Sequence, residues 1–412
     1  MSSSANRLPA WLHGAGSIAV AVALMNVATY AFTMVAARLL GPKEYGALAG
    51  LMATLLVIGV VQLGLQTTAA RRIAATPEHT AQIRHSILRV GLRASLAIGA
   101  LMVVLAPVVD RVLRLDDLPA TLLVAVIAVP MTLMGAQAGI LQGERRWLPL
   151  ALLYVANGLP RIVLGVALLA WQPEVTTAMA AVALGQLAPV VVGWWALRDQ
   201  EPTTGTSLDH SARSIMRETL LNSQALFAFF ALSSLDIVVA RNVLDSHEAG
   251  LYAGALILTK AVVFLPQFVV VLAFPAMSTP QSRRKALTTS LSVVTVLGGC
   301  VVLGGWLLDD LALVFIGGQE YVEVRDDLWA FAVLGTALSL LQLLVYSVVA
   351  RQGRISIALV WVACVVIVVV GSTTTTVTGL LGVVVAVDLT LVALLFVLSL
   401  IRLGQKTEPA RT

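Results

Sequence analysis

The sequence predicts an all-α integral membrane protein of about twelve transmembrane helices, in two six-helix lobes related by a parallel pseudo-two-fold axis. Three observations point there. Apolar runs of about 20 residues recur from Ser17 to Ile401, each long enough to cross a hydrocarbon layer of about 30 Å as a helix. One stretch occurs twice: residues 35–50 read VAARLLGPKEYGALAG and residues 239–254 read VARNVLDSHEAGLYAG. At the constant offset between Val35 and Val239, the copies share Ala36/Ala240, Leu40/Leu244, Glu44/Glu248, Gly46/Gly250, Ala49/Ala253 and Gly50/Gly254. The third observation is that the basic residues gather in alternate loops.

Composition sets the class. The chain is 58% hydrophobic and 12% charged, where soluble domains carry about 25% charge. The apolar runs do not alternate with polar residues, which excludes a barrel. A net charge of +5 sits in short loops between spans, so it addresses a membrane surface rather than nucleic acid. Cys300 and Cys364 fall within expected spans, with no metal-ligand spacing. The five histidines lie in loops or at span edges, and no catalytic centre, metal site or cofactor is expected.

In chain order, a mixed segment with Arg7 and Trp11 precedes spans at about 17–38, 46–69, 86–109, 118–141, 148–170 and 178–197. The first is too long for a signal-peptide core and lacks a small-residue cleavage site. A polar linker follows, with Pro202, Gly205 and several Ser and Thr. The reading is an N-terminal lobe over 1–200, a cytoplasmic linker over 201–217 and a C-terminal lobe over 218–412. The second half repeats the plan at about 218–240, 249–277, 286–308, 328–350, 355–372 and 379–401. Leu141-Gln-Gly-Glu-Arg-Arg146 and Val349-Ala-Arg-Gln-Gly-Arg354 close corresponding helices of the two halves.

With the N-terminus on the cytoplasmic side, seventeen Lys and Arg fall in inner segments and six in outer ones, and the outer loop at about 309–327 is acidic. The positive-inside rule is met at every inner loop. Both termini are expected in the cytoplasm of a multi-pass plasma-membrane protein, which gives the halves parallel topology.

At this point the residues resemble a known family. A first helix with Asn26, then Leu40-Gly-Pro-Lys-Glu-Tyr-Gly46, Gly64-Leu65 and Arg71-Arg72 are similar to the opening of oligosaccharide flippases of the polysaccharide-exporter (O-antigen) type. These belong to the multidrug/oligosaccharidyl-lipid/polysaccharide superfamily. Asp236, Gly250-Leu-Tyr252, Phe315-Ile-Gly-Gly-Gln-Glu-Tyr321 (one residue longer than the family's loop) and Arg351-Gln-Gly-Arg354 extend the likeness. Twelve spans set the chain apart from the peptidoglycan lipid II flippase branch, which has two further helices.

The resemblance implies a V-shaped pair of lobes and alternating access. It also implies transport of a polyprenyl-diphosphate-linked oligosaccharide from the inner to the outer leaflet, with proton or cation coupling and a monomeric transporter in the bilayer. The alternative reading is a drug or cation antiporter of the same superfamily. An unrelated transporter of the major facilitator type and a membrane glycosyltransferase fit less well. Residues 70–84 lack the first type's loop signature, and no outer loop is large enough for the second.

Ionisable groups inside spans are costly and mark function by default. Arg161, just after Pro160, and Lys260 are the candidate diphosphate ligands, because cationic donors suit a phosphate in a low-dielectric cavity. Asp236 and Asp388 are the coupling candidates. Structural alternatives stand beside these: an Asp236–Arg241 pair, a Lys260–Asp388 pair, and Arg161 bonding carbonyls freed by Pro160. Asn26, Thr29, Tyr30 and Thr33 make one polar stripe on helix one, which suits a sugar-lined cavity or helix packing. Gln62, Gln66 and Gln267 extend such a lining, and Pro266 and Pro275 offer a hinge.

Overall fold

In lipid, each backbone N–H and C=O must be satisfied within its own segment, so apolar runs of this length fold as helices. The computed structural model describes residues 15–198, 212–263, 283–349 and 354–404, and among these there is no strand. The helices are α1 (Ala15–Ala75), α2 (Thr80–Leu113), α3 (Leu118–Gly143), α4 (Trp147–Trp171), α5 (Val175–Gly185), α6 (Leu187–Leu197) and α7 (Ala212–Val243). They continue with α8 (Ser246–Val263), α9 (Arg283–Leu307), α10 (Asp309–Ile316), α11 (Leu328–Val349), α12 (Arg354–Gly371) and α13 (Val377–Gly404). Among the described residues, nine helical stretches are long and apolar enough to cross a membrane, and Ile355–Gly371 is a shorter apolar helix. The chain is a multi-pass helical membrane protein. Pro266, Gln267, Pro275 and Arg351 lie outside the described residues, as do 201–211 of the expected linker; its remainder, 212–217, begins α7.

The chain folds as two compact units. The first draws on Met1–Phe32, Ile58–Val109 and Asp117–Ser223, the second on Thr33–Val57, Asp110–Asp116 and Gln224–Thr412. The core of the first unit packs Leu65, Ile83, Ile87, Met134, Ile140, Leu150, Leu153 and Ile215, all buried. Glycines 135, 139 and 143 lie on one face of α3. A Cβ at Gly135 would stand 2.7 Å from Gln62 Cγ, and one at Gly139 would stand 2.7 Å from Gln66 Cα. Small residues at this spacing let helix backbones approach closely. They fix the height of both glutamines.

Polar ends complete the first unit. Glu218, ahead of the apolar part of α7, accepts from Arg72 Nε at 2.8 Å and from Arg71, while Arg72 Nη2 donates to Ser214 Oγ at 2.8 Å. Partial burial works against its charge, but the two guanidiniums hold its carboxyl below the usual range. Asp117 caps α3, accepting from Ala120 N at 2.9 Å, and also accepts from Thr176 Oγ1 at 2.8 Å. Loss of a cap of this kind costs about 1 kcal/mol. Asp117→Ala is therefore expected to lower the melting temperature of the purified protein in detergent. An unchanged melt would mean that the cap adds nothing.

The second unit holds both copies of the repeated stretch. In the first copy, the expected polar loop shrinks to one residue. Gly41 alone leaves helical geometry (φ 70°), and Pro42, whose missing N–H costs nothing at a helix start, restarts the helix. In the second copy α7 ends at Val243 and α8 begins at Ser246. The copies make matching contacts. A Cβ at Gly46 would lie 2.9 Å from Gly250 Cα. Gly50 faces Leu113, and Gly254 faces the ring of Tyr321. Arg38 Nη2 donates to Val314 O at 2.7 Å; its counterpart at the same offset, Asn242, donates to Val112 O at 2.8 Å.

The expected acidic outer loop is structured. It forms α10 and a 3-10 helix over Gln319–Asp327, because Leu313, Ile316, Tyr321 and Val324 are buried along it. Tyr321, from the loop motif, donates to Ala37 O at 3.1 Å.

Candidate functional site

Each unit carries one polar constellation inside its apolar helices. In the first, α4 presents Tyr154, Asn157 and Arg161 at i, i+3 and i+7, one face of a helix. Gln66 Nε2 donates to Tyr154 Oη at 2.7 Å and to Gln142 Oε1 at 3.0 Å. Asn157 Nδ2 approaches Met25 Sδ at 3.3 Å, and Gly158 lies against the Met25 backbone, which seats α4 on the first half of α1. Asn157 Oδ1 is buried without a hydrogen bond among the described residues. Asn26 and Tyr30 are half-buried on α1, one residue and five residues past Met25.

Arg161 is half-buried, and its one hydrogen bond among the described residues runs from Nη2 to Gln186 Oε1 at a long 3.4 Å. Gln186, buried in the turn between α5 and α6, points its amide at Met134 Sδ (3.5 Å), which Gln62 Nε2 also approaches (3.8 Å). A thioether is a weak acceptor. The sulfur therefore orients both amides while leaving the Gln186 carbonyl for Arg161. Four of the five guanidinium donors are unengaged among the described residues, and no carboxylate pairs with them there.

In the second unit, Asp236 (α7), Tyr252 and Lys260 (α8) and Asp388 (α13) form a cluster. Asp236 and Asp388 are buried at 2% and 1% exposure, while Lys260 is half-buried. Asp236 accepts from Ile237 N at 2.8 Å and, weakly, from Tyr252 Oη at 3.4 Å. Asp388 Oδ1 has no hydrogen-bond partner among the described residues. The charge of Lys260 acts on Asp236, and the charge of Asp236 acts on Asp388.

Neither pair offered by the sequence as a structural alternative forms an ion pair among the described residues. Lys260 makes none with Asp388 there, and the carboxylate whose charge acts on it is Asp236 on α7. Arg241 does not pair with Asp236 either. Its guanidinium instead caps the end of α2, donating to Leu113 O at 2.7 Å and Arg114 O at 2.6 Å, since the last carbonyls of a helix have no internal partner.

The packing of α8 on α11 places Lys260. Thr259 Oγ1 donates to Phe331 O at 2.8 Å, Ser339 Oγ donates to Val262 O at 3.0 Å, and the Tyr252 and Phe331 rings meet edge-on at 5.2 Å.

Sequence reasoning missed Tyr154, Asn157 and Gln186, and named Tyr252 only within the family motif. The stripe argument made for helix one would have found the two α4 residues. Gln186, and the contact of Tyr252 with Asp236, become visible only through their tertiary neighbours.

The family model described as "Polysaccharide biosynthesis protein" matches residues 11–281. No curated protein matches the chain. Among solved structures, the chain is similar to a multidrug resistance MATE family transporter of the MOP superfamily in its inward-facing conformation. That match has a TM-score of 0.73 at 16% identity, covering 94% of this chain and 96% of the other. It is also similar to the outward-facing conformation of a MATE family transporter of the MOP superfamily (TM-score 0.65, 16% identity, 94% and 96% covered). A third match is a MOP superfamily transporter from Pyrococcus furiosus, described as having a binding pocket of reverse polarity (TM-score 0.66, 16% identity, 97% and 96% covered). At this identity the likeness is one of fold.

Proposed function

The chain belongs to the polysaccharide biosynthesis protein family, and from that premise we propose that it is a lipid-linked oligosaccharide flippase. It carries a polyprenyl-diphosphate-linked oligosaccharide from the cytoplasmic to the outer leaflet of the plasma membrane, by alternating access and without catalysis. Twelve helices in two six-helix halves, with both termini cytoplasmic, form the transporter. The matching contacts of residues 35–50 and 239–254 support that repeat.

The observation that carries the reading is Arg161. Its guanidinium has donors to spare, sits deep in an apolar helix, and is joined on one face by Tyr154 and, through Tyr154, by Gln66. A diphosphate accepts several such donors, and sugar hydroxyls match the amides of Gln62, Gln66 and the Asn26–Tyr30 stripe. An inside-negative potential favours outward movement of a negative head group by about 2.3 kcal/mol per charge per 100 mV.

The test is flipping of a polyprenyl-diphosphate oligosaccharide by the purified protein in proteoliposomes. Arg161→Gln is expected to lose at least about tenfold in rate with normal expression, since hydrogen bonds to charged groups are worth about 1.5–3 kcal/mol. Wild-type flipping by Arg161→Gln would remove the proposed role. The two buried carboxylates, Asp236 and Asp388, favour a second reading, a cation-coupled drug antiporter. Under it, an organic cation rather than the lipid-linked sugar would drive ion movement in the same vesicles.

A further inference from the structure

Nothing in the transport step above uses the Leu141–Arg146 turn that closes α3, yet its backbone is firmly held. Glu144 N, Arg145 N and Arg146 N donate to Ile140 O, Gln142 O and Leu141 O at 2.9, 3.2 and 2.9 Å, with Arg145 in the left-handed region (φ 55°). Arg84 Nε donates to Glu144 Oε1 at 2.8 Å, and a Cβ at Gly143 would stand 2.8 Å from Ile73 Cβ. What this turn delivers is Gln142, whose Oε1 accepts from Gln66 Nε2 at 3.0 Å.

Counting protons gives that bond a consequence. The Gln66 amide nitrogen carries two N–H groups and meets two oxygens, Gln142 Oε1 and, at 2.7 Å, Tyr154 Oη. Both N–H groups are therefore spent, and Tyr154 accepts in this bond. Turning the Gln66 amide over would use its oxygen for both bonds and leave two N–H groups of a half-buried side chain to satisfy elsewhere. The present arrangement leaves only a carbonyl oxygen, and an under-satisfied carbonyl is the more readily tolerated of the two.

The phenol proton of Tyr154 is left over. Tyr154 donates to no group among the described residues, and it shares a face of α4 with Arg161, seven residues on. Asn157, between them, has its carbonyl oxygen buried and so does not oppose an anion there. The face offers donors at two levels. Arg161 Nη2 reaches Gln186, which shares Met134 Sδ with Gln62; Tyr154 meets Gln66, four residues and about 6 Å from Gln62 along α1. Donors one helical turn apart suit an anion with acceptor oxygens at both ends, a diphosphate, better than a single phosphate.

We propose that Tyr154 donates to the second phosphoryl group of the carried diphosphate and so sets specificity for it, and that Gln142 is the positioning residue that keeps Tyr154 in this role through Gln66. The proposal rests on the flippase reading, in which Arg161 takes the first phosphoryl group. Gln142 acts without touching the lipid: it holds the Gln66 amide turned, so that the phenol proton is free for the ligand rather than spent on Gln66.

The experiment titrates the full-length protein in neutral detergent with sugar-free polyprenyl diphosphate and, separately, with polyprenyl monophosphate, and reads both dissociation constants by native mass spectrometry. Wild type is expected to favour the diphosphate. Tyr154→Phe should lower that preference about tenfold, the worth of one hydrogen bond to a charged group, with monophosphate binding little changed. Gln66→Glu should do the same, because a carboxylate facing the phenol takes its proton. Gln142→Met lets the Gln66 amide turn and should also lower the preference, whereas Gln142→Glu, again an acceptor, should restore it. The two glutamate variants add the same charge with opposite hydrogen-bond polarity, so an effect of charge alone would give equal losses. No preference in wild type, a wild-type preference in Tyr154→Phe or Gln142→Met, equal losses in the two glutamate variants, or loss in Gln142→Glu with retention in Gln66→Glu would each overturn the proposal. Arg161→Gln should weaken both lipids. Wild-type binding of both by that variant would count against the transport reading, while the preference in Tyr154→Phe tests the present proposal, so the two failures are separable.

Discussion

Asp388→Asn is expected to abolish ion-coupled transport while leaving the protein folded. Asp388 is almost completely buried, its Oδ1 meets no donor among the described residues, and its nearest charged influence is another carboxylate, Asp236. Burying such a group inside a membrane helix costs about 2.5–3.5 kcal/mol on insertion scales. A structural ion pair would offset that cost with a direct partner, yet Asp388 Oδ1 has none among the described residues. On the proposed transport reading, Asp388 is the group left to take a proton or cation. The neutral amide fills the same volume, so expression should hold while the dependence of flipping on an ion gradient disappears.

Lys260 separates coupling from packing. Lys260→Met removes the cation whose charge acts on Asp236 and leaves two buried carboxylates without it, so expression is expected to fall. Lys260→Met/Asp236→Asn removes both charges and should recover expression but not coupled transport. Gradient-dependent flipping by Asp388→Asn, or by that double variant, would reduce the cluster to packing.

A methyl group at Gly46 or Gly250 is expected to cost about 1–3 kcal/mol, the range for overpacking a well-packed interior. A Cβ at Gly46 would stand 2.9 Å from Gly250 Cα, and one at Gly250 would strike the Pro42 carbonyl. Both obstacles are backbone, which cannot swing away as a side chain can. Gly299 and Gly382 supply the control, since an added Cβ there meets nothing within 4 Å. Alanine at those helical sites should be neutral or stabilising, as Ala is favoured over Gly by up to about 1 kcal/mol. Size-exclusion profiles and melting curves of Gly46→Ala, Gly250→Ala and the two controls are the measurement. If all four behave alike, close backbone approach at the repeated glycines is not what holds α8 against the first copy.

The helices were legible because the bilayer imposes length and apolarity, both of which are written in the sequence. The family likeness was legible because Leu40-Gly-Pro-Lys-Glu-Tyr-Gly46 is a motif of chain geometry, with Gly41 needed at φ 70° and Pro42 at the restart. The loop at 309–327 was misjudged because its Asp and Glu hide a buried apolar set that helical phase alone brings together.

By itself, then, the sequence determined a helical membrane protein, its repeated stretch and the short list of intramembrane charges. All of these follow from composition and local spacing. Only the tertiary structure decided the partners: Tyr252 with Asp236, Arg241 with the end of α2, and Arg161 with Gln186. The reason is that a partner is chosen by which helix lies alongside and at what rotation. Packing between segments far apart in the chain fixes that rotation, as where Thr219 donates to Thr68 across 151 residues.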